Sequence, residues 1–146
     1  MLLDKDAMPL VAMDFMNATH YEDVMIINKL YDALEAYEKE QNEANAKSVE
    51  ALYAEWFEHT IGHFQAEEVM MREKNFPPYP MHKGEHDRAL HEMDEVFRHW
   101  NKTHDALALK NYLTRSLAPW LLHHIQTMDT VTASFFKTGL SPCSAH

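Results

Sequence analysis

The stretch VEALYAEWFEHTIGHFQAEEVM, residues 49–70, decides the fold of this chain. Its apolar residues recur at steps of three and four, which is the spacing of one face of an α-helix, and the same face carries histidines and a glutamate. The stripe consists of Val49, Leu52, Trp56, His59, His63, Glu67 and Met70. A helix with ionisable side chains on its inward face predicts a core that contains a polar centre.

Three further stretches repeat this pattern, so the sequence predicts four long amphipathic helices. Their stripes are His20, Val24, Ile27, Tyr31 and Leu34, then His82, His86, Leu90, Met93, Phe97 and Trp100, then Leu113, Leu117, Leu121, His124, Met128, Val131 and Phe135. Because short polar connections join the helices, we expect an all-α fold, an up-and-down antiparallel four-helix bundle with an N-terminal arm. The helices are predicted at about 17–40, 46–74, 80–101 and 106–137, between the arm at 1–16 and a tail at 138–146.

Individual residues set the predicted helix ends. Asn17 is a plausible cap of the first helix, and Pro80 is acceptable in the first turn of the third. Gly139 and Pro142 are stop signals after the fourth helix. Pro119 lies inside that helix, where it removes a backbone donor and clashes with the preceding turn, so we expect a kink or a restart there.

Composition limits the classes of partner. The 146 residues suit a single domain, 1–146, and a formal net charge of −10 repels phosphate backbones and anionic lipids, so we expect no nucleic-acid or membrane binding. Cys143 is the only cysteine, which excludes an internal disulfide and fits a reducing compartment. The charged residues 4–6 occupy the place where a secretory signal would be apolar, so we expect a cytoplasmic protein.

Histidine occurs in all four stripes, at positions that the pattern assigns to the interior. A buried imidazole without a partner costs about 1–3 kcal/mol, so several at once require a common explanation. His63 and Glu67 are four residues apart, as are His82 and His86, and such pairs can direct two donor atoms at one ion. Asp129, the only acidic residue after position 105, lies in an apolar setting where a cation would offset the cost of burial.

The candidate ligands from the four helices suit two metal ions. They are His20, His63, Glu67, His82, His86, His124 and Asp129. Two divalent ions would be nearly balanced by two carboxylates and a bridging hydroxide, since neutral imidazoles add no charge. Imidazole and carboxylate ligands suit zinc, iron and other metals, so the residues alone leave the metal open.

Two neighbouring histidines compete for places in this set. His59 lies one turn before His63 on the same stripe but two turns from Glu67. His123 shares its side of the helix with threonines, whereas His124 lies on the apolar stripe. We favour His63 and His124 as ligands, with His59 and His123 as the alternatives.

The sequence resembles the hemerythrin family from about His20 to Phe136. The family motifs are an early histidine, H-F-x-x-E-E, H-x-x-x-H after a proline loop, and W-L-x-x-H-x-x-x-x-D. Here they begin at His20, His63, His82 and Trp120, with the order and spacing of the family. The segment before His20 lacks the tryptophan-containing opening that is common in bacterial members.

The resemblance implies a non-haem di-iron centre with an oxo or hydroxo bridge. One iron would take His82, His86 and His124, the other would take His20 and His63, and Glu67 and Asp129 would bridge them. Dioxygen would then bind as hydroperoxide at the two-histidine iron, in an apolar pocket that includes Phe64, Trp120 and Leu121 and is too small for organic substrates. The implied function is therefore reversible dioxygen storage, carriage or delivery rather than catalysis.

Three other functions compete with dioxygen binding. A ferritin-like oxidase needs Glu-x-x-His on two helices, and the sequence contains no such motif. A hemerythrin-type centre could instead serve as an oxygen or redox sensor, or as an enzyme that reduces peroxide or nitric oxide. The sequence favours none of these over dioxygen binding.

Overall fold

Four long helices form a bundle in the computed structural model, which describes residues 1–139. Helix α1 spans Asp14–Lys39, α2 spans Glu43–Glu73, α3 spans Tyr79–Thr103, and α4 spans 106–138. Connections of a few residues make successive helices antiparallel neighbours, and the first part of α4 also contacts α1. No strand occurs in the described residues. The predicted all-α four-helix bundle is confirmed.

Helix α4 alternates between α-helical and π-helical turns. Its α-helical parts are Ala106–Asn111, Ala118–His124 and Thr130–Thr138, and its π-helical parts are Tyr112–Leu117 and Ile125–Asp129. The first π-helical part ends two residues before Pro119, and the N–H of Ala118 there donates to the carbonyl of Leu113, five residues back. The irregularity predicted at Pro119 is therefore a wide helical turn, and the predicted restart is wrong because the helix continues through the proline.

The first two helices begin earlier than predicted. Helix α1 starts at Asp14, and Asn17 is not its cap: the Asn17 side chain accepts from the N–H of Val11 and donates to the Val11 carbonyl, both at 2.9 Å. Helix α2 starts at Glu43, because Asn42 caps it by accepting from the N–H of Asn45. Only residues 40–42 separate the two helices.

The N-terminal arm packs against α1. Leu3, Met8 and Val11 are buried, and Lys5–Ala7 forms a single 3-10 turn. The side chain of Asn28 accepts from the N–H of Leu3 at 2.8 Å and donates to the Leu3 carbonyl at 2.7 Å. The arm is thus fixed by backbone hydrogen bonds to one helix as well as by apolar burial.

The core is apolar toward one end of the bundle and ionisable toward the other. Tyr53, Trp56 and Trp100 are almost fully buried and belong to the apolar end. The buried face of α2 lies one residue later than the predicted stripe at two positions, since Tyr53 and Met71 are fully buried whereas Leu52 and Met70 are only partly so. The histidines lie near the start of α1 and α3 and late in α2 and α4, so the antiparallel arrangement brings them to the same end.

Helix α4 ends at Gly139, as the sequence predicts. Gly139 has a φ of +75°, a left-handed conformation that favours glycine, and its N–H donates to the Phe135 carbonyl at 2.7 Å. The predicted stop at Pro142 and the single Cys143 lie outside the described residues. Across residues 1–139, no helix combines the length and the apolar character needed to cross a bilayer.

Candidate metal centre

The structure brings all seven predicted ligand residues together as two buried groups that share one carboxylate. The first group comprises Glu67, His82, His86, His124 and Asp129. The second comprises His20, His63 and Glu67. Within each group the candidate ligand atoms lie within 4.8 Å of one another. All seven side chains are buried, so each needs a partner in place of water.

Glu67 lies between the two groups and directs one carboxylate oxygen toward each. Its Oε2 is 2.5 Å from Nε2 of His63, and its Oε1 is 3.5 Å from Nε2 of both His82 and His86. Both oxygens belong to a side chain with no solvent exposure. Glu67 can therefore serve two ions at once.

Asp129 repeats this arrangement from α4. Its Oδ2 is 2.9 Å from Nε2 of His20, while its Oδ1 is 3.1 Å from Nε2 of His82 and 3.2 Å from Nε2 of His124. Neighbouring donors of an ion with bonds of about 2.1 Å lie roughly 3 Å apart, so these separations fit shared coordination. Asp129 and Glu67 therefore each place one oxygen beside His20 or His63 and the other beside the three-histidine group.

Five buried nitrogen and oxygen atoms of the first group, each able to bind a metal ion, have no hydrogen-bond partner among the described residues. They are Nε2 of His82, His86 and His124, Oε1 of Glu67 and Oδ1 of Asp129. Such a concentration is exceptional, because buried polar atoms nearly always find a partner. The unpaired atoms converge on a common point, as the ligands of a cation would, so the residues present fit a metal ion.

A π-helical turn places the two ligands of α4. In a regular α-helix, side chains five residues apart point about 140° apart, since each residue adds about 100°. Between His124 and Asp129 the helix is π-helical, with turns closed over five residues, so both side chains reach the same face. The hydroxyl of Thr130 donates to the carbonyl of Ile125 at 2.7 Å beside this turn. The sequence motif H-x-x-x-x-D thus depends on a wide turn to become one site.

The other ring nitrogens of the three-histidine group contact an outer layer of polar side chains. Nδ1 of His82 lies 2.7 Å from Oγ1 of Thr132. The remaining two rings pair with carboxylates: Nδ1 of His86 donates to Glu68 at 2.9 Å, and Nδ1 of His124 donates to Glu85 at 2.8 Å. Partners of this kind fix the tautomer and orientation of a metal-binding imidazole and raise its basicity.

His63 contacts a longer chain of partners. Its Nδ1 donates to Oδ2 of Asp23 at 3.0 Å, and the other oxygen of Asp23 accepts from Nδ1 of His59 at 2.6 Å. Nε2 of His59 in turn donates to Glu22 at 3.0 Å. Both nitrogens of His59 are therefore engaged by carboxylates, and the alternative in which His59 replaces His63 at the metal is not supported by this geometry.

The packing of the centre lowers the pKa of a buried carboxyl group and raises the pKa of a buried imidazole. Burial would raise the pKa of Asp129, but the imidazoles of His124, His20 and His82 close to its oxygens hold that pKa well below the usual value. Burial alone would lower the pKa of His63, but the nearby carboxylates, that of Glu67 foremost, together raise it more strongly. The pKa of His63 therefore lies well above its usual value. Without a cation, the centre therefore holds protons on His63, and on His124, whose pKa Asp129 raises despite burial, more tightly than a free imidazole does. A metal ion would displace those protons on binding.

We expect the stability contributed by His59 to depend on pH. Its hydrogen bond to Asp23 raises the pKa of His59 from 6.5 to about 9. Because the folded state holds this proton more tightly, the contribution is full below pH 6.5 and is lost as the pH rises through about 9. Urea unfolding of the wild type and of His59→Asn should show a stability difference that narrows over this range. A difference that stays constant from pH 6.5 to above pH 9 would contradict the assignment.

A cavity of about 300 Å³ leads from the surface between α3 and α4 to this centre. His63, His124 and Asp129 line its inner end, and the exposed Arg88 and Glu92 line it on α3. Ligand pockets in proteins range from about 300 to 1,000 Å³, so this cavity lies at the lower end, and the expectation of a pocket too small for organic substrates stays a prediction. The sequence could not show this space, because it lies between side chains of different helices.

Aromatic side chains cover the apolar side of the centre. The ring of Phe64 stacks on that of His86 at 3.8 Å between centroids, and Trp120 stacks on His124 at 4.6 Å. Phe64, Trp120 and Leu121 also line the cavity, where they were expected as pocket residues. Their contacts restrict the two imidazoles and keep the inner cavity apolar.

The outer layer was not identified from the sequence. Asp23 follows His20 by three residues, Glu68 follows Glu67, and Glu85 follows His82 by three. Helical spacing from a ligand was the available signal, but the chain has 23 acidic residues, so spacing alone does not distinguish them. Of the competing histidines, His123 is exposed and takes no place in the centre.

Comparison with known proteins identifies one family model and several relatives that all belong to the same family. The sequence model of the hemerythrin HHE cation binding domain matches residues 12–135. A bacteriohemerythrin of Aquifex aeolicus is 33% identical over 82% of this chain and 86% of its own length. Bacteriohemerythrins of Ralstonia nicotianae and Methylococcus capsulatus are 30% and 28% identical, over 82% and 71% of this chain and 77% and 72% of their own lengths. No solved structure matches the chain.

Proposed function

Since the chain belongs to the hemerythrin family, we propose that it binds dioxygen reversibly at a pair of iron ions held in the buried centre. The resemblance predicted from the motifs is thereby confirmed, and a buried cluster of histidines and carboxylates fits the cation-binding domain of this family. Storage, carriage or delivery of dioxygen is the physiological role we propose. The cytoplasmic location stays a prediction from the sequence.

The observation that supports this proposal best is the set of converging, unpaired donor atoms. We assign His82, His86 and His124 to one iron and His20 and His63 to the other, with Glu67 and Asp129 shared between them. Contacts of each histidine with a particular carboxylate oxygen support this division. Iron held in this way would supply the electrons that dioxygen binding requires.

The two-histidine side offers room for dioxygen. Two imidazoles face that position, against three on the other side, and the cavity reaches the centre beside His63. Phe64, Trp120 and Leu121 would exclude water from the inner cavity, because their side chains offer it few hydrogen-bond partners. We therefore place dioxygen at the inner end of the cavity, on the His63 side.

Rapid mixing with dioxygen tests the proposal. Reduced protein loaded with iron should develop a visible absorption band on exposure to oxygen, keep it for minutes and lose it on deoxygenation, over repeated cycles. Metal analysis of the same sample should give two iron ions per chain. Irreversible oxidation within seconds would exclude storage, and fast turnover of added hydrogen peroxide would favour the enzymatic alternative.

A further inference from the structure

His63 differs from the three-histidine group in how its outer partner is held. Glu68 and Glu85 each contact one ligand histidine, and the described residues show no second hydrogen bond to either carboxylate. Asp23, by contrast, divides its two oxygens between His63 at 3.0 Å and His59 at 2.6 Å. The orientation of Asp23 is thus fixed from both ends.

The contact between Asp23 and His59 is largely withdrawn from solvent. The side chain of Asp23 is 6% exposed and that of His59 is 22% exposed. If His59 were removed, Oδ1 of Asp23 would become a buried acceptor without a donor, which is costly for a charged group. The carboxylate would then turn to find another donor and would no longer hold the His63 ring in place.

We propose that His59 is a positioning residue for the metal centre: by holding Asp23 it orients the imidazole of His63 and so strengthens metal binding at the two-histidine position. The inference rests on the proposed function only for the role of His63 as a ligand. It concerns neither dioxygen nor catalysis. His59 would not contact the metal ligand directly. It would act through the carboxylate of Asp23 and affect only one of the two ions.

Two substitutions of His59 separate the effect of its hydrogen bond to Asp23 from the effects of losing the charge and size of its imidazole. An asparagine amide occupies the place of Nδ1 in histidine, so His59→Asn keeps a donor toward Asp23. A glutamine amide reaches the place of Nε2, so His59→Gln keeps a donor toward Glu22 and loses the one toward Asp23. Both variants lack the imidazole and its charge, so they differ mainly in the contact under test.

Anaerobic titration with Co²⁺, followed by its visible absorption, measures the two binding steps without involving dioxygen. Loss of an outer-layer partner typically weakens metal binding about 10–100-fold, so His59→Gln should weaken one step about tenfold and leave the other unchanged. His59→Asn should stay close to the wild type. Asp23→Asn tests the same contact from the other side and should weaken the same step, and His91→Gln, an exposed histidine of α3, serves as the control.

The possible outcomes distinguish a failure of the positioning role of His59 from a failure of the proposed function. Equal weakening by His59→Asn and His59→Gln would assign the effect to lost charge or bulk and would overturn the positioning role, as would unchanged binding in both variants. A wild-type chain that binds no Co²⁺ would instead overturn the metal centre itself, and this inference with it. Normal Co²⁺ binding without reversible oxygenation would reject the proposed function but leave the role of His59 intact.

Discussion

Asp129→Ala should lose metal from both positions of the centre, and with it the oxygen-dependent absorption band. The carboxylate has Oδ2 at 2.9 Å from His20 and Oδ1 at 3.1 Å and 3.2 Å from His82 and His124, so alanine removes one proposed ligand atom from each of the two metal positions. The loss of affinity should exceed the roughly 10–100-fold typical of an outer-layer partner. Metal analysis after dialysis, together with the absorption spectrum, measures the effect.

A matched control makes this result specific to the bridge. Asp32 is an exposed aspartate of α1, so Asp32→Ala removes a carboxylate far less buried than Asp129 and should leave the metal content unchanged. If Asp129→Ala retained one ion at wild-type affinity, the carboxylate would serve a single ion and the assignment of a bridge would fail. Full retention of both ions would remove Asp129 from the ligand set.

Metal binding should also raise the melting temperature of the protein substantially. Five histidines and two carboxylates are buried in the centre, and the unpaired atoms among them make the metal-free fold costly. An ion present at about 1,000 times its dissociation constant stabilises the folded state by about 4 kcal/mol. Because a domain near 150 residues gains about 2–4 °C per kcal/mol, two ions should raise the melting temperature by about 10 °C or more.

Calorimetry of the protein with chelator and with added ferrous iron, under anaerobic conditions, measures this shift. Asp129→Ala is the informative comparison, since it should show little increase on addition of iron. An equal increase in the wild type and in Asp129→Ala would indicate metal binding elsewhere on the acidic surface. A wild-type melting temperature that did not respond to iron would contradict the centre as assigned.

Helix positions and ligand candidates could be predicted from the sequence because both follow from local spacing. Apolar residues at steps of three and four identified each helix, and pairs four apart, such as His63 with Glu67, fall on one face of any α-helix. Helix ends were less accurate. Asn17 has the side chain of a typical cap but bonds the backbone of Val11, since the arm folds back on α1.

The inward histidines, the single acidic residue late in the chain and the family motifs were determined by the sequence alone. Tertiary structure decided how they meet. His124 and Asp129 share a face only because the turn between them is π-helical, and Asp23 contacts His63 only because α1 packs against α2. The cavity beside His63 is likewise a space between helices. Local spacing constrains one helix at a time, whereas distances between side chains of different helices depend on packing, which periodicity does not encode.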